Sequence, residues 1–160
     1  PQLGPGLMRT RLALLLLACA SLAQAAALGV GDALPALKLS TQHEQPASPA
    51  ANARQWLFAA DNDAANLVSA LLDSQPASWL ADTQRVYLAD IHKMPALIAR
   101  MVALPRLRDK SYPILLGRDA ADLAMLPRQR GCVSVLDIQQ HKISAVRFAC
   151  DQGGLAALVR

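Results

Sequence analysis

WLFAADNDAANLVSALLD, residues 56–73, opens as a short apolar run, passes through Asp61-Asn62-Asp63 and continues with apolar residues at helical spacing. Gln55 to Ala60 reads as a short buried strand. Leu67, Val68, Leu71 and Leu72 recur as one face of a helix that ends near Ser74. Asp63 is placed to cap that helix, and Asp61 to close an Asx-turn ahead of it. A strand that hands over directly to a helix is the first half of a strand–helix–strand unit, so this stretch sets the expectation of an α/β chain.

The same alternation continues on both sides. Ala36 to Thr41 can form a first strand, and Gln42 to Arg54, rich in Pro, Ala, Ser and Gln, reads as a turn plus a long connection. Arg85 to Ile91 is the next strand. Pro95 suits a helix first turn, and Leu97, Ile98, Met101 and Val102 form an apolar stripe that Pro105 is expected to end. Tyr112 to Gly117 is a short strand, and Asp119 to Leu126 a helical turn or two. Cys132 to Ile138 and Ile143 to Cys150 flank Gln139-Gln140-His141-Lys142 as a hairpin, and Gly153 to Arg160 is a final short helix. The order is βαβαβ, then a hairpin and a helix. It predicts an α/β domain with a mixed sheet, and right-handed crossovers suggest helices on both faces.

The N-terminus has a different character. Arg9 and Arg11 form a basic start after Met8, Leu12 to Leu22 is apolar, and Ala23-Gln24-Ala25 offers small residues for cleavage. The apolar run is short for a membrane span, which needs about 20 residues. Met8 to about Ala25 therefore reads as a signal peptide, with residues 1–7 upstream of the start. That leaves 26–160 as a single mature domain, exported to a bacterial periplasm. An uncleaved anchor is one alternative. Another is a lipoprotein lipidated at Cys19, since Leu16-Leu17-Ala18-Cys19 loosely fits a lipid-acceptor signal. A membrane contact is expected only in these two cases.

The 160 residues suffice for one domain with a real core. They carry 16 Lys and Arg against 12 Asp and Glu. Setting aside Arg9 and Arg11 leaves 14 cations, a net of +2. That balance is too mild for a nucleic-acid or anionic-membrane partner. Aromatics at 4% also argue against base-stacking platforms.

VGDALPALKLSTQHEQ (30–45), SYPILLGRDAADLA (111–124) and RGCVSVLDIQQHKISAVRF (130–148) resemble the opening strand, the "YPVLLD" stretch and the terminal hairpin of the thioredoxin-like fold, in its periplasmic thiol-reductase and peroxiredoxin branch. The resemblance implies a three-layer α/β sandwich whose mixed sheet ends in a β-hairpin and a C-terminal helix. MPALIARMVALPRLRDKSYPILLGRD also looks like a group of small exported bacterial proteins sometimes labelled FAD/FMN-containing dehydrogenases. The chain has no Gly-rich dinucleotide fingerprint, so no flavin or other cofactor is expected.

The departures bear most on function. In active relatives a Cys-x-x-Cys lies between strand and helix, where the helix N-terminus lowers the thiol pKa. Here that place holds Ala59-Ala60-Asp61-Asn62-Asp63, and a single peroxidatic cysteine is missing too. By register from Ile143, Val133 stands where relatives carry a cis-proline. Asp61, Asn62, Asp63 and Val133 therefore mark a degenerate active-site position with no catalytic residue. The favoured function is a non-redox binding or accessory module for a periplasmic protein or small ligand. One alternative is a thiol–disulfide or peroxidase-type enzyme using Cys132 and Cys150. A weaker one is D-x-D phosphate chemistry at Asp61 and Asp63, with Asp119 and Asp122 as a downstream acidic pair.

Cys132 and Cys150 are the two cysteines left after processing. If the hairpin loop centres on His141, they face each other across the strands, close enough for a structural disulfide in an oxidising compartment; a one-residue change in register would make them diagonal, and the alternative is two buried thiols acting as small hydrophobes. His43, His92 and His141 are scattered, too far from the cysteines for a zinc site, and read as surface residues. The basic stretch from Arg100 to Arg130 reads as a solvated face, with a surface for an anionic ligand or partner as the alternative, and Trp56 and Trp79 as core or rim.

Overall fold

The computed structural model describes residues 26–160. The stretch from Met8 to Ala25 expected to be a signal peptide, Cys19 within it, and residues 1–7 lie outside the described residues.

Seven strands form one mixed sheet: β1 (Leu39–Thr41), β2 (Pro46–Ala47), β3 (Gln55–Ala59), β4 (Arg85–Asp90), β5 (Leu115–Gly117), β6 (Val133–Gln139) and β7 (Lys142–Ala149). Their order is β2-β1-β5-β4-β3-β6-β7. β3 is parallel to β4 and β4 to β5, whereas β1 and β6 join that trio antiparallel. The helices are α1 (Asn62–Asp73), α2 (Trp79–Asp82), α3 (Ala96–Ile98), α4 (Leu104–Arg108) and α5 (Gln152–Leu158). The α/β class, the mixed sheet, the terminal hairpin and the last helix follow the expectation.

All five residues of β3 are buried, as a strand covered on both faces requires. Leu57 and Ala59 face one core, shared with Val68 and Leu72 of α1, Leu104 of α4 and Leu155 of α5. Trp56 and Phe58 face a second core with Leu37, Leu123 and Leu126. Every helix that contributes buried residues packs on the first face, which corrects the expectation of helices on both. The parallel strands step one way across the sheet, from β3 to β4 to β5. Two right-handed crossovers in the same direction place their helices on the same side. The third layer is instead built from the segment around Leu28–Leu37 and the turns over 118–127.

Those turns correct a second expectation, since Asp119–Leu126 is not helical. The Asp122 carboxylate accepts the N–H groups of Arg118 and Asp119, at 2.9 and 3.0 Å. Two successive i→i+3 turns then close at Asp122 and Leu126, and Pro127 stops the run. Short polar side chains compete with helical bonding in this way. Within the Gln42–Arg54 connection, β2 adds a two-residue edge strand, where Pro46 is tolerated.

Pro105 does not end its helix. α3 passes through a π-helical segment, Ala99–Ala103, directly into α4, and Pro105 lies in the first turn of α4. A proline lacks an N–H and its ring presses on the carbonyl four residues back. The wider π turn accommodates both. Leu97, Ile98, Met101 and Val102, the apolar stripe of the sequence, are exposed.

The hairpin turn is tighter than expected. Gln140 and His141 form a two-residue turn with φ of 50° and 61°, and a bulge between Asp137 and Ile138 then shifts the register. Beyond the bulge Val133 pairs with Ala149, so Cys132 and Cys150 are brought opposite each other.

Candidate functional site

β3 and β4 end side by side, with Ala59 paired to Ala89. Beyond these ends lies a cleft of about 930 Å³, lined among others by Ala60, Asp63, Ile91, Met94, Ile98 and Arg130. Ligand sites in open α/β sheets favour this end of the strands.

Asp61 organises the cleft floor. Its backbone is extended, with φ −151° and ψ 174°, and one carboxylate oxygen accepts the Ala64 N–H at 2.9 Å. Asp61 is therefore the helix cap, and Asp63, exposed in the first turn, is not. The chain leaves β3 at Ala59, so Asp61 is the residue still extended enough to reach the N–H three positions on. Its second oxygen accepts the N–H of Gly131 at 2.8 Å. Gly131 has φ +74°, a conformation glycine adopts at low cost. Burial works to raise the Asp61 pKa. Three backbone N–H groups, of Ala64, Gly131 and Asp63, and the nearby Arg130 charge outweigh it and hold the carboxyl below its ordinary value. Each oxygen thus accepts a backbone N–H, so the carboxylate is held in place by the helix start and by the loop at Gly131. Asp119 and Asp122 do not line the cleft. Among the described residues no three His, Cys, Asp or Glu side chains come together as a metal site.

A second polar group was not expected from the sequence. The Asp90 carboxylate, 2% exposed, ends β4. One oxygen meets His92 Nδ1 at 2.6 Å and accepts the His92 backbone N–H at 3.1 Å. The other accepts Arg128 Nη1 at 3.1 Å. Arg128 also donates to the Leu123 carbonyl and lies over the Phe58 ring. His92 is thus half-buried and partnered rather than free at the surface, whereas His43 and His141 are exposed. The available signal was an Asp closing a strand with a His two residues on, the spacing of an Asx-turn. Arg128 could not be assigned, because its reach depends on the turns before it.

Cys132 and Cys150 form a disulfide, with their Cα atoms 4.1 Å apart. Cys132 is buried and Cys150 exposed. The bond lies beside Gly131, and the Gln129 side chain, at the cleft wall, approaches the Cys150 sulfur at 3.6 Å. Val133, next along, opens β6 fully buried in the first core and does not line the cleft. Arg108 and Arg118 pair with Glu44, Lys110 with Asp73. Trp56 is core and Trp79 rim, under the Arg85 guanidinium.

No family model matches the chain. No curated protein matches it in sequence. Solved structures do match in shape. A peroxidoxin of Mycobacterium tuberculosis superposes with a TM-score of 0.54 at 13% identity, over 82% of this chain and 94% of that one. An uncharacterized thioredoxin-like protein from Porphyromonas gingivalis gives 0.52 at 18% identity, over 79% and 86%. The fold is thioredoxin-like. At these identities the likeness extends to the fold alone. The turn that joins β3 to α1 holds Ala60-Asp61. The loop before β6 holds Arg130-Gly131-Cys132.

Proposed function

We propose that this chain is an exported, non-redox binding module that holds a periplasmic protein segment or a small ligand in the cleft beyond β3 and β4. The observation that carries this reading is an open cleft at the customary end of the sheet, floored by Ala59, Ala60 and an Asp61 whose carboxylate ties the two loops together through the N–H groups of Ala64 and Gly131. A rigid, concave and chemically quiet floor suits holding better than turnover. The signal-like run from Met8 to Ala25 and the disulfide support export to an oxidising compartment.

A random peptide display library panned on the oxidised full chain tests this reading. Asn62 is exposed at the cleft, so Asn62→Trp fills the cleft without disturbing a core. Enriched peptides should bind Asn62→Trp at least about tenfold more weakly than the parent. Peptides indifferent to that substitution would sink the cleft as the binding site.

One observation favours a second reading, thiol–disulfide exchange at Cys132 and Cys150: Cys150 is an exposed residue whose sulfur lies 3.6 Å from Gln129 of the cleft wall. Dithiothreitol-driven reduction of insulin separates the two readings. The binding module leaves the rate at its uncatalysed value. An acceleration that disappears in Cys150→Ser would install the redox reading instead.

A further inference from the structure

The helical run over 96–108 turns an apolar face to solvent. Leu97 is 66% and Met101 69% exposed, with Ile98 and Val102 beside them. Leu104 and Leu107, further along, pack into the first core. In a regular α-helix Leu97 and Leu104, seven residues apart, share a face. The π segment Ala99–Ala103 turns less per residue and swings the start of the run away from the sheet. Single exposed leucines are commonplace on protein surfaces, but a contiguous group of four is not.

The patch is continuous with the cleft. Ile98 belongs to both, and Ile91, Met94 and Pro95 carry the apolar lining down to the strand ends. Along the helical run its surroundings are basic: among the described residues Lys93, Arg100 and Arg106 make no ion pair, whereas Arg108 and Lys110 do; in the cleft itself Lys93, Arg128 and Arg130 stand beside Asp61, Asp63 and Asp90, with Arg128 paired to Asp90. Asp109, beyond Leu107, is the nearest acidic residue on the run. We infer that this face is a docking surface for an acidic polypeptide segment, one with apolar side chains flanked by Asp or Glu that runs from the cleft across the helix. A second copy would bring the same three cations face to face. A flat bilayer could meet Leu97 and Met101 but could not follow the patch into the cleft. The inference extends the reading of the cleft as a polypeptide site and names the partner's chemistry.

The test uses the oxidised full chain and two synthetic amphipathic peptides with identical Leu and Ile spacing, one flanked by Glu and one by Lys. The Glu peptide should bind at least about tenfold more tightly. Leu97→Glu and Met101→Glu should each cost a similar factor with the melting temperature unchanged, since neither side chain is buried. The double variant Arg100→Glu with Arg106→Glu should shift the preference toward the Lys peptide. Equal binding of the two peptides, or wild-type binding by Leu97→Glu and Met101→Glu, overturns the inference. So does tighter binding to phosphatidylglycerol vesicles than to the Glu peptide, or a dimer that Met101→Glu dissolves. Asn62→Trp separates the two claims: loss on Met101→Glu with retention on Asn62→Trp keeps the patch and removes the cleft, and the reverse removes the patch alone.

Discussion

Asp61 places one carboxylate oxygen on the Ala64 N–H and the other on that of Gly131, 70 residues away in the chain. The residue therefore joins a helix start to the loop ahead of β6. Asp61→Ala should cost about 2 kcal/mol, a lost cap plus an unpaired Gly131 N–H. Asp63→Ala should stay within about 0.5 kcal/mol, as an exposed substitution does. Urea unfolding of the two variants measures the difference. The pH dependence has a definite sign. The Asp61 carboxyl is held below its ordinary value of 3.8 in the folded chain. Its contribution is thus present above that value and is lost as the pH falls through the folded pKa. Melting curves of the parent and Asp61→Ala should converge below the ordinary value and stay apart at neutral pH. Two aspartates two residues apart have the same capping chemistry, so the local sequence could not choose between them. The Gly131 contact that fixes Asp61 comes from the far end of the chain.

At the scale of elements, the β6–β7 hairpin shows why some features were legible. Apolar runs and a polar tip mark both strands, and a loop centred on His141 places Cys132 opposite Cys150. The actual turn is two residues long, and a bulge restores the same pairing at the cysteine end. Gln140 and His141 both adopt positive φ without being glycine. Replacing them with Asn and Gly should raise stability by about 1 kcal/mol, measured by thermal or urea unfolding. The disulfide spans 18 positions, and Cys132→Ala with Cys150→Ala should cost about 3 kcal/mol through the freed unfolded chain. The run over 96–108 was less legible. Its apolar stripe has helical spacing, but a proline converts one stretch to a π turn and rotates the stripe outward. Periodicity assumes a constant turn per residue, and Pro105 breaks that assumption. The Asp119–Leu126 stretch failed for a different reason, the capture of backbone N–H groups by Asp122.

Across the whole molecule, the sheet has helices on one face and irregular chain on the other, and the second face depends on a few plugs. Gly117, at the end of β5, lets Leu123 lie against the strand: a Cβ there would stand 2.6 Å from Leu123 Cδ1. Gly117→Ala should cost about 1–3 kcal/mol by overpacking, read from the urea midpoint. The strand sequence and class could be read from alternation, but the composition of the layers could not. Which face a crossover helix takes depends on strand order, and the sequence does not state that order. The irregular layer also sets a timetable. Leu28, Gly31 and Leu34 hydrogen-bond to Met125, Ile143 and His141. The earliest described residues therefore acquire partners only when most of the chain has been synthesised, and long-range closures of this kind are slow. Until the hairpin emerges, the second face of the sheet lacks the part of its cover that these bonds fasten.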